Sequence, residues 1–219
     1  MAEFILYIFD RIWPPLLAVY LTQKFIKWRM PKLNILSEER VSILNDRFYA
    51  WRFLINNKKS MDWLPLRETA TNCQAKIEVF KGHKEVFKMR GRWANSAEIP
   101  DFPHDDQRRI VLYPEPISIR SGQGELLDGI VQYPNEKVAY GWNNEAYFNG
   151  WKTKAYKLEI GQYRVIVTIS PQNGPEVSGE FKLTVSDNYI ETCLTSNCGC
   201  QDGKITETPI LNERTGFGF

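Results

Sequence analysis

The residues best suited to chemistry are a group of thiols and a short acidic stretch around a histidine. Cys193, Cys198 and Cys200 crowd into eight residues, while Cys73 stands 120 residues upstream. Thiolates at such short spacing converge readily on a soft ion such as zinc. The run lacks a fourth ligand, however, and Cys-x-Cys is not the usual knuckle spacing; Cys73 completes the set only if the tail folds back. A disulfide framework would spread its cysteines through the fold, so this distribution points to free thiols in a reducing compartment.

The second cluster is His104, Asp105 and Asp106, beside Arg108 and Arg109 in FPHDDQRR. Imidazole and carboxylates can ligate a metal or pass protons. Neighbours on an extended chain point apart, though, and the other histidine, His83, sits in a KGHKE turn. The sequence contains no G-x-S-x-G, no phosphate-binding glycine loop and no H-E-x-x-H, so the standard nucleophile, nucleotide and zinc-protease chemistries find no motif. No catalytic residue and no cofactor is therefore assigned. A metal-dependent enzyme or metal-binding protein using His104, Asp105 and Asp106 or the Cys193–Cys200 cluster is kept as the alternative. A third cluster is aromatic: NNEAYFNGW groups Tyr147, Phe148 and Trp151 in a turn-like stretch. There they serve either as recognition anchors or as a cap on the core.

These candidates need a scaffold, and 219 residues at 43% hydrophobic suffice for one domain with an appendage. Lys and Arg total 28 against 26 acidic residues, a balance that gives no reason to expect nucleic acid as a partner. The basic excess is local. It follows an apolar N-terminal segment, WPPLLAVYLTQKFIKWRMPKL, in an order opposite to that of a cleaved signal peptide.

The uncharged run from Ile12 to Gln23 is 12 residues, short of the roughly 20 a perpendicular span needs. Two longer registers extend it. One runs from Phe4 to Phe25, about 33 Å as a helix, and must hold Asp10 and Arg11 off-centre. The other starts at Pro14 and Pro15 and ends near Trp28, with Lys24 and Lys27 snorkelling to the headgroups. The anchoring residues are then Trp13, Leu16, Leu17, Val19, Leu21, Phe25 and Trp28, followed by a basic flank of Lys24, Lys27, Arg29 and Lys32. That flank predicts a cytoplasmic C-terminal part. In-plane binding and packing on the fold remain as alternatives.

From residue 34 onward period-2 alternation dominates. Trp51, Phe53 and Ile55 share a face with Tyr49, Cys73, Ala75, Ile77 and Val79 share another, and Phe87, Met89 and Trp93 a third. Nine or ten short strands, each with one apolar face, predict two sheets packed on each other. In LEIGQYRVIVTI the spacing of Leu158, Gly161 and Tyr163, running into an alternating strand, matches the tyrosine corner of an immunoglobulin-like sandwich. Val165 stands where an antibody domain has its second cysteine, so the inter-sheet disulfide is not expected.

The apolar helix with its Pro31-Lys32-Leu33 exit, then FLINN, TATNCQAKI, RGRW and GQYRVIVTI…GEFKLTV, resemble uncharacterised prokaryotic membrane-anchored proteins with an immunoglobulin-like (CARDB-like) β-sandwich. That resemblance implies a binding or scaffolding role. The expected organisation is a membrane helix over 1–32, an immunoglobulin-like antiparallel sandwich over 33–187 and a flexible Cys-containing tail over 188–219. The expected function is a membrane-tethered module for protein–protein interaction, its partners being membrane lipid and another protein. A phage or cell-surface structural protein is a second alternative.

Overall fold

The computed structural model describes residues 13–37, 41–43, 48–60, 67–96, 114–147, 152–187 and 190–194. The chain begins with α1 (Trp13–Arg29), followed by β1 (Leu33–Ser37), β2 (Val41–Ile43), β3 (Phe48–Asn57), β4 (Ala70–Lys81), β5 (Lys84–Arg90) and β6 (Arg92–Trp93). Next come β7 (Ile117–Ile119), β8 (Gly124–Gln132), β9 (Val138–Gly141), the short helix α2 (Asn144–Tyr147) and a 3-10 turn at Lys154–Tyr156. The last strands are β10 (Lys157–Glu159), β11 (Gly161–Ser170), β12 (Val177–Val185) and β13 (Ile190–Leu194). The fold is mainly β, with one N-terminal helix.

The strands form two antiparallel sheets. One is seven-stranded, in the order β1-β3-β8-β9-β10, with β2 also on β3 and β6 on β8. The other is six-stranded, in the order β13-β12-β11-β4-β5, with β7 on β4. Alternation decides which side chains meet between them. Trp51, Phe53 and Ile55 of β3 face Phe181 and Leu183 of β12 in one continuous core, and the Phe53 and Phe181 rings lie 4.9 Å apart. Cys73, Ile77 and Val79 of β4 and Val165, Val167 and Ile169 of β11 join it fully buried, each large side chain contributing about 1.5–3 kcal/mol on leaving water. Trp93 is buried in the same core.

The first sheet also buries part of its outer face. β8 carries one extra residue opposite Trp51 and Arg52 of β3, so Gly129 forms a bulge. A side chain at Gly129 would start 2.9 Å from the Trp51 carbonyl oxygen and 2.8 Å from the Phe53 ring, which is why this position is glycine. Beyond the bulge, Phe48, Ala50, Val131 and Trp142 form a second small cluster, with Phe48 and Trp142 edge to face at 5.4 Å.

Two expectations change here. β13 pairs with β12 from Ile190 to Leu194, so the second sheet continues beyond residue 187, where the sequence reading ends the sandwich. The membrane span does not appear: among the described residues no helix is long and apolar enough to cross a membrane. The 17 residues of α1 reach about 26 Å, and the C-terminal part carries Lys24, Lys27 and Arg29. The register beginning at Phe4 starts outside the described residues.

Candidate functional site

Pro14 and Pro15 occupy the first turn of α1, where a missing amide costs little. Lys27 and Arg29 lie in the last turn, complementing the negative end of the helix dipole, and Pro31 stops the helix. None of its residues is buried. Trp13, Leu16, Leu17, Val19, Tyr20, Leu21, Phe25 and Ile26 stand between 45% and 59% exposed. Packing of this helix on its own sandwich is thereby removed from the three readings of the N-terminal segment. The polarity of α1 runs along its axis rather than across it. Residues 13–21 are apolar on every side, and the charges begin at Lys24.

The exit of α1 is clamped to the sandwich. The Glu68 amide donates to the Arg29 carbonyl at 2.8 Å and the Lys58 amide to the Lys32 carbonyl at 2.9 Å. Arg29 and Glu68 form an ion pair at 3.5 Å, and Arg67 donates to the Met30 carbonyl at 3.4 Å. Buried Asn57 links these segments. Its Oδ1 accepts from the Lys32 amide at 3.1 Å, and its Nδ2 donates to the carbonyls of Glu68 and Ile119 at 3.0 Å each. Asn57 was not picked out from sequence. Its only signal there is a polar residue at an inward position of an alternating strand.

Leu158, Gly161 and Tyr163 lie together at the corner between β10 and β11. Leu158 is fully buried, and the Tyr163 hydroxyl donates to the Glu159 carbonyl at 2.8 Å. Gly161 has φ 153°, a value side-chain-bearing residues rarely adopt. The corner carries the chain from β10 in one sheet to β11 in the other.

A second site missed by sequence is the Arg52–Asp128–Arg92 cluster on the outer face of the first sheet. Asp128 is opposite Arg52 on β3 and Arg92 on β6. Its two oxygens accept from Arg52 Nε and Arg92 Nη1, each at 2.8 Å. Asp128 has no solvent exposure. Burial pushes its carboxyl above the usual range, against the pull of the two guanidiniums. The Arg52 guanidinium also lies 5.3 Å from the Trp142 ring centre.

A cleft of about 860 Å³ lies beside β5 and is lined by Lys76, Lys88, Arg90, Trp93, Glu145 and Tyr156 among others. Its walls already satisfy one another. Lys76 and Lys88 both approach Glu78, at 2.8 and 3.7 Å, and the Tyr156 hydroxyl donates to Glu145. Burial and that bond raise the Tyr156 phenol to about 12.

The remaining sequence candidates separate. Among the described residues no group of three His, Cys, Asp or Glu side chains could hold a metal. His104, Asp105 and Asp106 lie outside the described residues, as do Cys198 and Cys200. The backbone of Cys193 lies on β13 opposite Lys182. Cys73 is fully buried on β4, three strands away, or about 14 Å at sheet spacing. It therefore cannot join Cys193 around one ion. Phe148 and Trp151 also lie outside the described residues, and of Tyr147 only the backbone, ending α2, is described.

Comparison with protein families, curated proteins and solved structures finds no match to the chain. The CARDB-like resemblance rests on the quoted residues alone.

Proposed function

We propose that the protein is a membrane-associated β-sandwich module that serves binding or scaffolding. α1 inserts its apolar N-terminal part into the bilayer interface and keeps its basic end among the headgroups. The observation that carries this reading is the exposure of α1 from residue 13 to residue 27 beside a clamped, partly buried exit. Eight large apolar side chains, each about half exposed, contribute on the order of 1 kcal/mol apiece on leaving water. A helix lying flat on a membrane needs one polar and one apolar face. Because the polarity of α1 changes along its axis, a steep approach suits it better, with Lys24, Lys27, Arg29 and Lys32 facing headgroups. Those four cations suit the anionic surface of a cytoplasmic leaflet, consistent with the free thiol of Cys73.

We read the sandwich as a variant of the immunoglobulin arrangement. The order β4-β11-β12 matches the C-F-G sheet, and the tyrosine corner occurs where E passes to F. The departure lies in the other sheet, where β10 sits at the edge beside β9 rather than next to β3.

Flotation of the full-length chain with zwitterionic phosphatidylcholine vesicles tests the membrane reading. The wild type is expected to float, and Leu17→Glu/Leu21→Glu to remain at the bottom with an unchanged melting curve. A wild type that never floats, or a double variant that floats as well, overturns the reading.

A further inference from the structure

We propose that the pole of the sandwich next to α1 is itself a docking surface for anionic phospholipid headgroups. This rests on the membrane reading of α1 and extends it from the helix to the folded body.

The pole is assembled from five chain segments tied by main-chain and side-chain bonds. Asn57 accepts the Lys32 amide and donates to Glu68 and Ile119. The Gly122 amide donates to the Asn57 carbonyl at 2.7 Å, and the Asn57 amide donates to the Gln123 carbonyl at 3.0 Å. The 171–175 turn is stapled by Asn173, whose Oδ1 accepts from the Thr71 amide at 2.9 Å and whose Nδ2 donates to the Thr69 carbonyl at 2.8 Å. Gly174 of that turn approaches Pro31, since a Cβ built there would lie 3.1 Å from the proline ring.

Charge is segregated on this pole. Among the described residues of segments 29–33, 57–60, 67–70, 119–123 and 171–176, the charged side chains are Arg29, Lys32, Lys58, Lys59, Arg67 and Arg120 against Glu68 and Glu176. That is six cations to two acids, in a chain whose net charge is only +2. The opposite pole, at 81–85, 133–137, 159–161 and 186–187, carries Lys81, Lys84 and Lys137 against Glu85, Glu136, Glu159 and Asp187. A one-sided field of this kind, adjoining an apolar helix, is complementary to a leaflet containing anionic lipid. Lys32, Lys58, Lys59 and Arg120 are exposed, so their ammonium and guanidinium groups can reach headgroup phosphates. The clamp at Asn57 holds them at a constant offset from the basic end of α1.

The test is partitioning of the full-length chain onto zwitterionic phosphatidylcholine vesicles and onto vesicles with about a third phosphatidylserine. Wild type is compared with Lys58→Gln/Lys59→Gln/Arg120→Gln, whose exposed sites should leave folding intact. Each cation near the surface is worth about fivefold, so the triple variant is expected to lose roughly a hundredfold on anionic vesicles. It should match the wild type on zwitterionic ones. Equal binding of variant and wild type to anionic vesicles overturns the proposal while leaving α1 as the anchor. An equal loss on both vesicle types overturns it as well, because the effect would not be one of charge. A wild type that partitions onto neither overturns the α1 reading and this one with it.

Discussion

The side chain of Asn57 accepts the main-chain amide of Lys32 across 3.1 Å, and that bond joins the last strand residue before one turn to the segment leaving the helix. Its carboxamide simultaneously satisfies the carbonyls of Glu68 and Ile119. Asn57→Ala would remove the acceptor of one amide and the donor to two carbonyls in a site almost closed to water. The expected loss is about 3 kcal/mol, by urea denaturation. Asn57→Asp keeps the acceptor but loses the donor and buries a charge, so it is expected to be no milder.

Tyr163 makes a narrower contribution. Its hydroxyl bond to the Glu159 carbonyl is expected to be worth about 1 kcal/mol in Tyr163→Phe, which keeps the ring. Gly161→Ala is expected to cost about 1–3 kcal/mol, because φ 153° strains any side-chain-bearing residue. Thermal melts of the two variants separate the bond from the backbone conformation.

The sequence made one kind of information plain and concealed another. Alternation identified the inward faces of β3 and β4, because Phe53, Ile55, Ile77 and Val79 alternate with residues less apolar or more exposed. It could not identify the outer cluster. Where β3 and β8 are buried on both faces, as at Ala50–Trp51 and Gly129–Val131, the apolar run is continuous and period 2 disappears. Arg52, Arg92 and Asp128 come from three strands separated by 36 to 76 residues, and only the sheet order brings them together. The basic pole was half visible. Arg29 and Lys32 read as a flank of the helix, but Lys58, Lys59, Arg67 and Arg120 join them only through strand ends that meet in space. The bond from Tyr163 to the Glu159 carbonyl is local, and its parts lie close enough in sequence to be read as one pattern.

Arg92→Met gives a pH-dependent signature. Burial already pushes the Asp128 carboxyl above the unfolded value of 3.8, with Arg52 and Arg92 opposing. Removing Arg92 leaves the carboxyl higher still. A carboxyl whose folded value exceeds its unfolded one binds a proton in the native state that the unfolded state releases. Stability from it is therefore full at low pH and is lost as pH rises through the folded value. The variant is expected to fall about 3 kcal/mol below the wild type at pH 7. That deficit should shrink as the pH is lowered toward 4, and a deficit that stays constant with pH would exclude Asp128 as its source.

Cys73 governs behaviour at the alkaline end. Burial raises its thiol from 9.0 to about 11, so between these values the unfolded chain loses a proton that the native chain keeps. The native state then binds more protons, and by linkage stability falls as pH rises through that window, by on the order of 3 kcal/mol. Tyr133 and Tyr156, both raised to about 12, add to the decline above pH 10 and persist when the thiol is removed. Urea midpoints of the wild type are thus expected to drop more steeply from pH 9 to 11 than those of Cys73→Ala. The same burial predicts kinetics: with Cys193, Cys198 and Cys200 replaced by Ser, the remaining thiol should react with a disulfide reagent at pH 8 only as fast as the fold opens. Prompt labelling of the native protein would mean that β4 and β7 do not seal Cys73 from solvent.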